Sequence, residues 1–134
     1  MIELQQVFLV KARECLAGAE SEFVNERYNN AANRCYYAVF QAAVHALARA
    51  GIWPPGGPQA EWGHAFVQGQ FVRELINRKH FYPTDLRATI SDNLSLRQRA
   101  DYEVQCVSQT QALRALRRTR QFIEAIQGQG GRAR

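Results

Sequence analysis

The amino-acid sequence predicts an all-α fold, an up-and-down bundle of four or five antiparallel helices. Three observations carry that expectation. Apolar residues recur at three- and four-residue steps along most of the 134 residues. No stretch alternates apolar and polar residues over a useful strand length, and no internal repeat is present. The segment Asn30 to Gly51 is apolar around most of its circumference. A helix on a globular surface shows a single apolar stripe, so this segment is expected to be the buried central helix.

The first helix is expected from Ile2 to about Arg27, where Phe8, Ala12, Cys15, Leu16, Ala19 and Phe23 keep the helical period. Gly18 lowers its local propensity. Tyr28-Asn29-Asn30 is read as a tight connection, making a helical hairpin with the next element. In that element Asn30, Arg34, Gln41, His45 and Arg49 fall within an arc of roughly 100° at helical pitch, a polar seam on an otherwise buried rod. The opposite side carries Cys35, Val39, Ala42, Ala43 and Ala46, and the flank carries Tyr36, Tyr37, Phe40, Val44 and Leu47.

The run Trp53-Pro54-Pro55-Gly56-Gly57-Pro58 ends the second helix, because proline cannot continue the ladder. Trp53 and Trp62 flank this loop and either anchor it on the bundle or face a partner. Phe66, Val67, Phe71, Leu75 and Ile76 predict a third helix from about Gly63 to Arg78, closed by His80-Phe81-Tyr82-Pro83. Thr84 suits the N-cap of a fourth, running through Leu86, Ile90 and Leu94 toward Arg97. Asp101 to Val107 is rich in weak helix formers. Ser108-x-x-Gln111 then forms a capping box. The last helix is expected from Gln109 to Gln127, with Ala112, Leu113, Leu116, Thr119, Phe122, Ile123 and Ile126 inward. Residues 1–127 thus form one domain, and 128–134 are read as a polar, glycine-rich, disordered tail.

Composition narrows the function classes. No run approaches the roughly 20 apolar residues that span a bilayer, and the N-terminus lacks a signal-peptide pattern. Three widely spaced cysteines, Cys15, Cys35 and Cys106, argue against a disulfide framework, so a cytoplasmic location is expected. No metal-ligand spacing links them to His45, His64 or His80, and neither metal nor cofactor is expected. The net charge is +5 and the pI about 9.5, with Lys11 and Lys79 the only lysines. Arginine suits bidentate contact with phosphate, which makes nucleic acid or an acidic protein a natural partner.

Two separated motifs then carry a family resemblance. Tyr28-x-x-Ala31-Ala32-x-Arg34-x-Tyr36-Tyr37-Ala38-x-Phe40 is followed, after a loop leading to Gly63-His64, by Leu96-Arg97-x-x-Ala100-Asp101-Tyr102. The combination resembles the HEPN domain family, in the branch of small stand-alone members. The resemblance spans about Leu4 to Ile126. It implies a helical bundle, usually a homodimer, commonly paired with a minimal nucleotidyltransferase in a toxin–antitoxin or defence system. Its catalytic members are metal-independent RNases with an Arg-x4-6-His motif. In such a motif arginine holds the scissile phosphate and histidine moves protons near neutral pH.

This sequence departs from that motif, because Tyr102 stands where the histidine would be. A phenol with a reference pKa near 10 is a poor general base at neutral pH. If the chain were an RNase, its centre would use Arg97 and Tyr102; the other Arg-to-His spacing is Arg73-x6-His80. For Arg34, Arg97, Asp101 and Tyr102 a structural network is favoured over direct phosphate chemistry: Asp101 pairs with Arg97 or Arg34, the ring of Tyr102 is buried, and Arg34 needs that partner if the fourth helix lies on the polar seam. The same four residues can also form a nucleotide- or RNA-binding pocket that does not cleave, and the chain is expected to act as such a binding module. Arg114, Arg117, Arg118 and Arg120 form a second candidate site, a basic exposed face for RNA or an acidic partner. A third reading is a protein-binding adaptor using the loop from Trp53 to Trp62.

Overall fold

The computed structural model describes residues 3–132, with side chains described within 3–128. Every regular element among these residues is helical. They are α1 (Leu4–Val24), α2 (Tyr28–Arg49), α3 (His64–Gln70), α4 (Thr89–Tyr102) and α5 (Gln109–Arg132). A π-helical segment, Phe71–Arg78, continues α3, and a 3-10 turn spans Thr84–Leu86. No described helix is long and apolar enough to cross a membrane.

The centre of the bundle is α2, which packs against each of the other four helices and against α1 most extensively. Thirteen of its residues are buried, seven of them alanines. Such small side chains let neighbouring backbones approach closely, and Tyr36, Val39, Val44 and Leu47 fill the remaining volume. The side of α2 bearing Cys35 meets Ala115 and Leu116 of α5. Phe71, Leu75, Ile76, Leu86, Ile90, Phe122 and Ile126 join α2 in the main core.

The polar seam faces α1 rather than α4. His45 is fully buried, and its Nδ1–H donates to the Gln5 carbonyl at 2.6 Å. Arg49 approaches Nε2 at 3.4 Å as a donor, so its partners hold the imidazole neutral. The stem of Arg34 lies within van der Waals reach of the Gly18 position of α1. Arg49 also donates to the Tyr82 hydroxyl at 3.0 Å and the Ile126 carbonyl at 3.3 Å.

Several element boundaries differ from expectation. The turn between α1 and α2 is Asn25–Arg27, with Glu26 at φ 62, and Tyr28 already lies in α2. Backbone bonds from Asn25 to Ser21 and from Arg27 to Glu22 close α1 early. The segment after α3 widens into π geometry, where Lys79 N–H bonds Glu74 carbonyl across five residues. Phe71, Leu75 and Ile76 are spaced by four and five, so they share one face of this wider turn. Thr84 belongs to the 3-10 turn, and α4 begins only at Thr89.

The ends of α4 and α5 also move outward. Helix α4 continues through Tyr102, with Arg97–Asp101 and Arg99–Glu103 pairing across its last turn. The capping box forms as expected: Gln111 N–H donates to Ser108 Oγ at 3.1 Å, and Ser108 N–H to Gln111 Oε1 at 2.9 Å. The α5 backbone stays helical to Arg132, past the expected end at Gln127, since a nucleated helix gains one bond per added residue. Residues 128–132 are therefore helical in backbone, not the disordered tail expected; residues 133 and 134 lie outside the described range. The Trp53–Trp62 loop turns inward, with Trp62 packed edge-on against Phe8 and Phe66.

One buried amide joins three helices. Asn93, 1% exposed, donates to the Cys35 carbonyl of α2 at 3.2 Å and to Thr119 Oγ1 of α5 at 2.9 Å. Its oxygen accepts from Arg118 Nε at 2.6 Å. Removing it takes a partner from three polar groups and leaves Arg118 Nε with none, so Asn93→Ala is expected to lower stability by about 2 kcal/mol in a urea titration.

His45 gives the fold a pH dependence with a definite sign. Burial, as the largest cause, lowers its pKa below the reference value of 6.5, so the unfolded chain takes up the proton first. Its contribution is complete above pH 6.5 and declines as pH falls below it. A His45→Gln variant should show a flatter stability profile across that window, and an unaltered slope would refute the assignment.

Candidate functional site

Helices α2 and α4 build one cluster of arginine and aromatic side chains. Arg97 projects from α4 onto α2, its guanidinium carbon 5.5 Å from the Tyr36 ring centroid, 5.4 Å from Tyr37 and 5.8 Å from Tyr102. Arg34 stands 5.2 Å from the Tyr37 ring, so that ring carries two guanidinium groups. Adjacent residues on α2 make this possible, since Tyr36 and Tyr37 pack edge to face at 5.1 Å.

Charge in the cluster is only partly balanced. Asp101 Oδ2 lies 3.3 Å from Arg97 Nε, the two side chains being 27% and 16% exposed. That contact lacks hydrogen-bond alignment, and Arg97 Nε is shielded from solvent with no hydrogen-bond partner. The same Asp101 oxygen accepts from Asn33 Nδ2 at 3.0 Å, and Asn33 Oδ1 accepts from Arg34 Nε and Nη2 at 3.0 and 2.7 Å. Asp101 therefore pairs directly with Arg97 and reaches Arg34 through Asn33. One carboxylate faces two guanidinium groups, and the remaining positive charge suits an anion.

A histidine joins this cluster from outside the expected motif. His64, the first residue of α3, lays its ring 5.3 Å from Tyr36 and 5.1 Å from Phe40. Its Nδ1 is hydrogen-bonded to the buried Tyr36 hydroxyl. Burial, the leading cause, pushes the Tyr36 phenol up to about 12 against the opposing influence of Arg97, so it remains protonated. A protonated phenol both donates and accepts, so the contact fixes the position of the His64 ring while the tautomer sets the direction of the bond. The sequence signal for this contact was the Tyr36–Phe40 pair, an aromatic i, i+4 patch that needs a cover.

The other expected residues divide. Arg34, Arg97 and Asp101 do come together. Tyr102 reaches Arg97, but it is 74% exposed rather than buried, because it occupies the last position of α4 at the bundle edge. Arg73 lies in the π-helical segment and the exposed His80 follows it at φ 55, neither on the Arg97 cluster. The arginines of α5 do not share one free face: Arg114 and Arg117 are exposed, Arg118 turns in to Asn93, and Arg120 pairs with Glu20 of α1 at 2.8 Å. Cys35 is no nucleophile, since burial pushes its thiol up to about 11.

The family model described as HEPN domain matches residues 5–129. A "Putative toxin" of Methanocaldococcus jannaschii is 26% identical over 123 residues, covering 90% of this chain and 84% of that protein.

Asp101→Ala is expected to destabilise the fold by about 0.5–1 kcal/mol, the scale of a partly exposed ion pair. A melting temperature equal to that of the wild type would remove the pair from the account of the site.

Proposed function

Because the chain belongs to the HEPN domain family, we propose that it is a toxin-type member whose Arg97 cluster binds a phosphate of RNA or of a nucleotide. The single observation that carries this reading is the state of Arg97. Its guanidinium is held among three tyrosine rings with Nε unbonded, beside a second arginine and a single carboxylate. Arginine supplies paired donors to phosphate, and the exposed Tyr102 ring offers a surface on which a base can stack. On this reading the protein works as a homodimer beside a minimal nucleotidyltransferase, in a toxin–antitoxin or defence-type pair, in the cytoplasm. The motif resemblance supports the partner, and the Methanocaldococcus relative supports the toxin class.

His64 favours a second reading, metal-independent RNA cleavage. It and Arg97 rest on the same Tyr36 ring, so a phosphate held by Arg97 would lie near an imidazole able to exchange protons. The histidine missing after Arg97 would then come from α3, with Tyr36 orienting it.

Fluorescence anisotropy with a labelled RNA, run beside a cleavage assay in EDTA, separates the readings. Binding without cleavage, weakened at least about tenfold in Arg97→Ala with folding intact, is the expected result, since buried charged contacts contribute on that scale. Equal binding by wild type and Arg97→Ala overturns the pocket. Cleavage abolished by His64→Ala establishes the second reading.

A further inference from the structure

A cavity opens on the other side of α4 from the Arg97 cluster. Arg97 and Arg99 are two residues apart, which turns them roughly 200° from each other around the helix axis. Arg99 therefore leaves the tyrosine cluster and lines a cleft of about 300 Å³ between α4 and α5, together with Asp92, Ser95, Gln111, Arg114 and Arg118. That volume is at the small end of ligand sites and admits a phosphate group or a diphosphate.

The chemistry of the lining is that of an oxyanion site. Three guanidinium groups meet one carboxylate, Asp92. Arg99 makes only a long, partly exposed contact with Glu103, at 3.7 Å, and Arg114 and Arg118 make no ion pair among the described residues. Arg118 is held in advance. Its Nε is committed to Asn93, which is buried and anchored by Thr119 and the Cys35 carbonyl. Its terminal nitrogens thus present a fork whose position does not have to be ordered on binding. Arg118 is half-buried, and burial lowers its pKa, with nearby Asp92 opposing. Gln111 adds a neutral donor, because the capping box takes up its oxygen and leaves its amide N–H2 free.

We propose that the α4–α5 cleft is a second phosphate-binding site, in which Arg118 is the fixed contact and Arg99 and Arg114 close over the anion. Two sources share this chemistry, a free di- or triphosphate and a backbone phosphate of RNA. The site rests on α4 and α5 alone and does not require the Arg97 pocket.

The test uses the full chain and the double variant Arg99→Gln/Arg114→Gln, whose residues lie at the cleft mouth and whose folding is checked by circular dichroism. Arg97→Ala and the exposed Arg117→Gln serve as references. Pyrophosphate is titrated by calorimetry at constant ionic strength, and a short labelled RNA by anisotropy over a salt series. Saturable pyrophosphate binding that loses one site in the double variant, with that site still present in Arg97→Ala, supports the cleft with a free phosphate as ligand. Without pyrophosphate binding, a tenfold loss of RNA affinity in the double variant, a salt slope reduced by about two and little change in Arg117→Gln support it with RNA as ligand. No pyrophosphate binding together with unchanged RNA affinity, or RNA losses equal in Arg117→Gln and the double variant, overturns the proposal.

Discussion

The constraint on which the rest of the structure depends is the burial of α2 on nearly every side. A helix surrounded by other helices has no water to receive its polar groups, so each one must find a partner on a neighbour. The alanines along α2 bring those neighbours close enough for short side chains to do this. His45 reaches the α1 backbone, Arg49 reaches Tyr82 and α5, and Asn33 reaches Asp101 of α4. The polar contacts also select the arrangement, since sliding any helix would strand one of them. Hydrophobic burial alone would tolerate many more arrangements.

The same constraint produces the candidate site. Tyr36 and Tyr37 are consecutive, so one enters the core while the other points along its edge. Arg97 bridges them from α4, stacked on their rings and shielded by their bulk. A guanidinium in this setting keeps its charge and loses part of its water, which strengthens any contact with an anion. His64 closes the edge of the cluster against Tyr36 and Phe40. Packing and anion recognition therefore draw on the same side chains.

Much of this was legible in the sequence. Period and composition were enough for the fold class and for α2 as the buried helix, because apolar residues around most of the circumference of Asn30 to Gly51 need cover on several sides. The capping box at Ser108 was legible because it is a local contact over three residues. The joining of Arg34, Arg97 and Asp101 followed from motif order. What sequence did not reveal was direction. Period alone cannot say which neighbour lies on the polar seam, and it was α1. The π-helical turn escaped notice because Phe71, Leu75 and Ile76 satisfy both pitches. The contact of His64 with Tyr36 was not legible because the two lie 28 positions apart, across an irregular loop. The burial expected for Tyr102 failed because α4 ends at that residue, on the edge of the bundle.

Position 93 carries an amide rather than a carboxylate, and this choice shapes the electric field outside the protein. An amide can donate to Thr119 and to the Cys35 carbonyl while accepting from Arg118, and it does so without a formal charge. An aspartate there would neutralise Arg118 internally and make the nearby surface less positive. With asparagine, the full positive charge of Arg118 is projected outward across the low-dielectric edge of the bundle, where it adds to that of Arg114. Asparagine thus keeps that side of the molecule electropositive, with a reach of about one Debye length, roughly 8 Å in physiological salt.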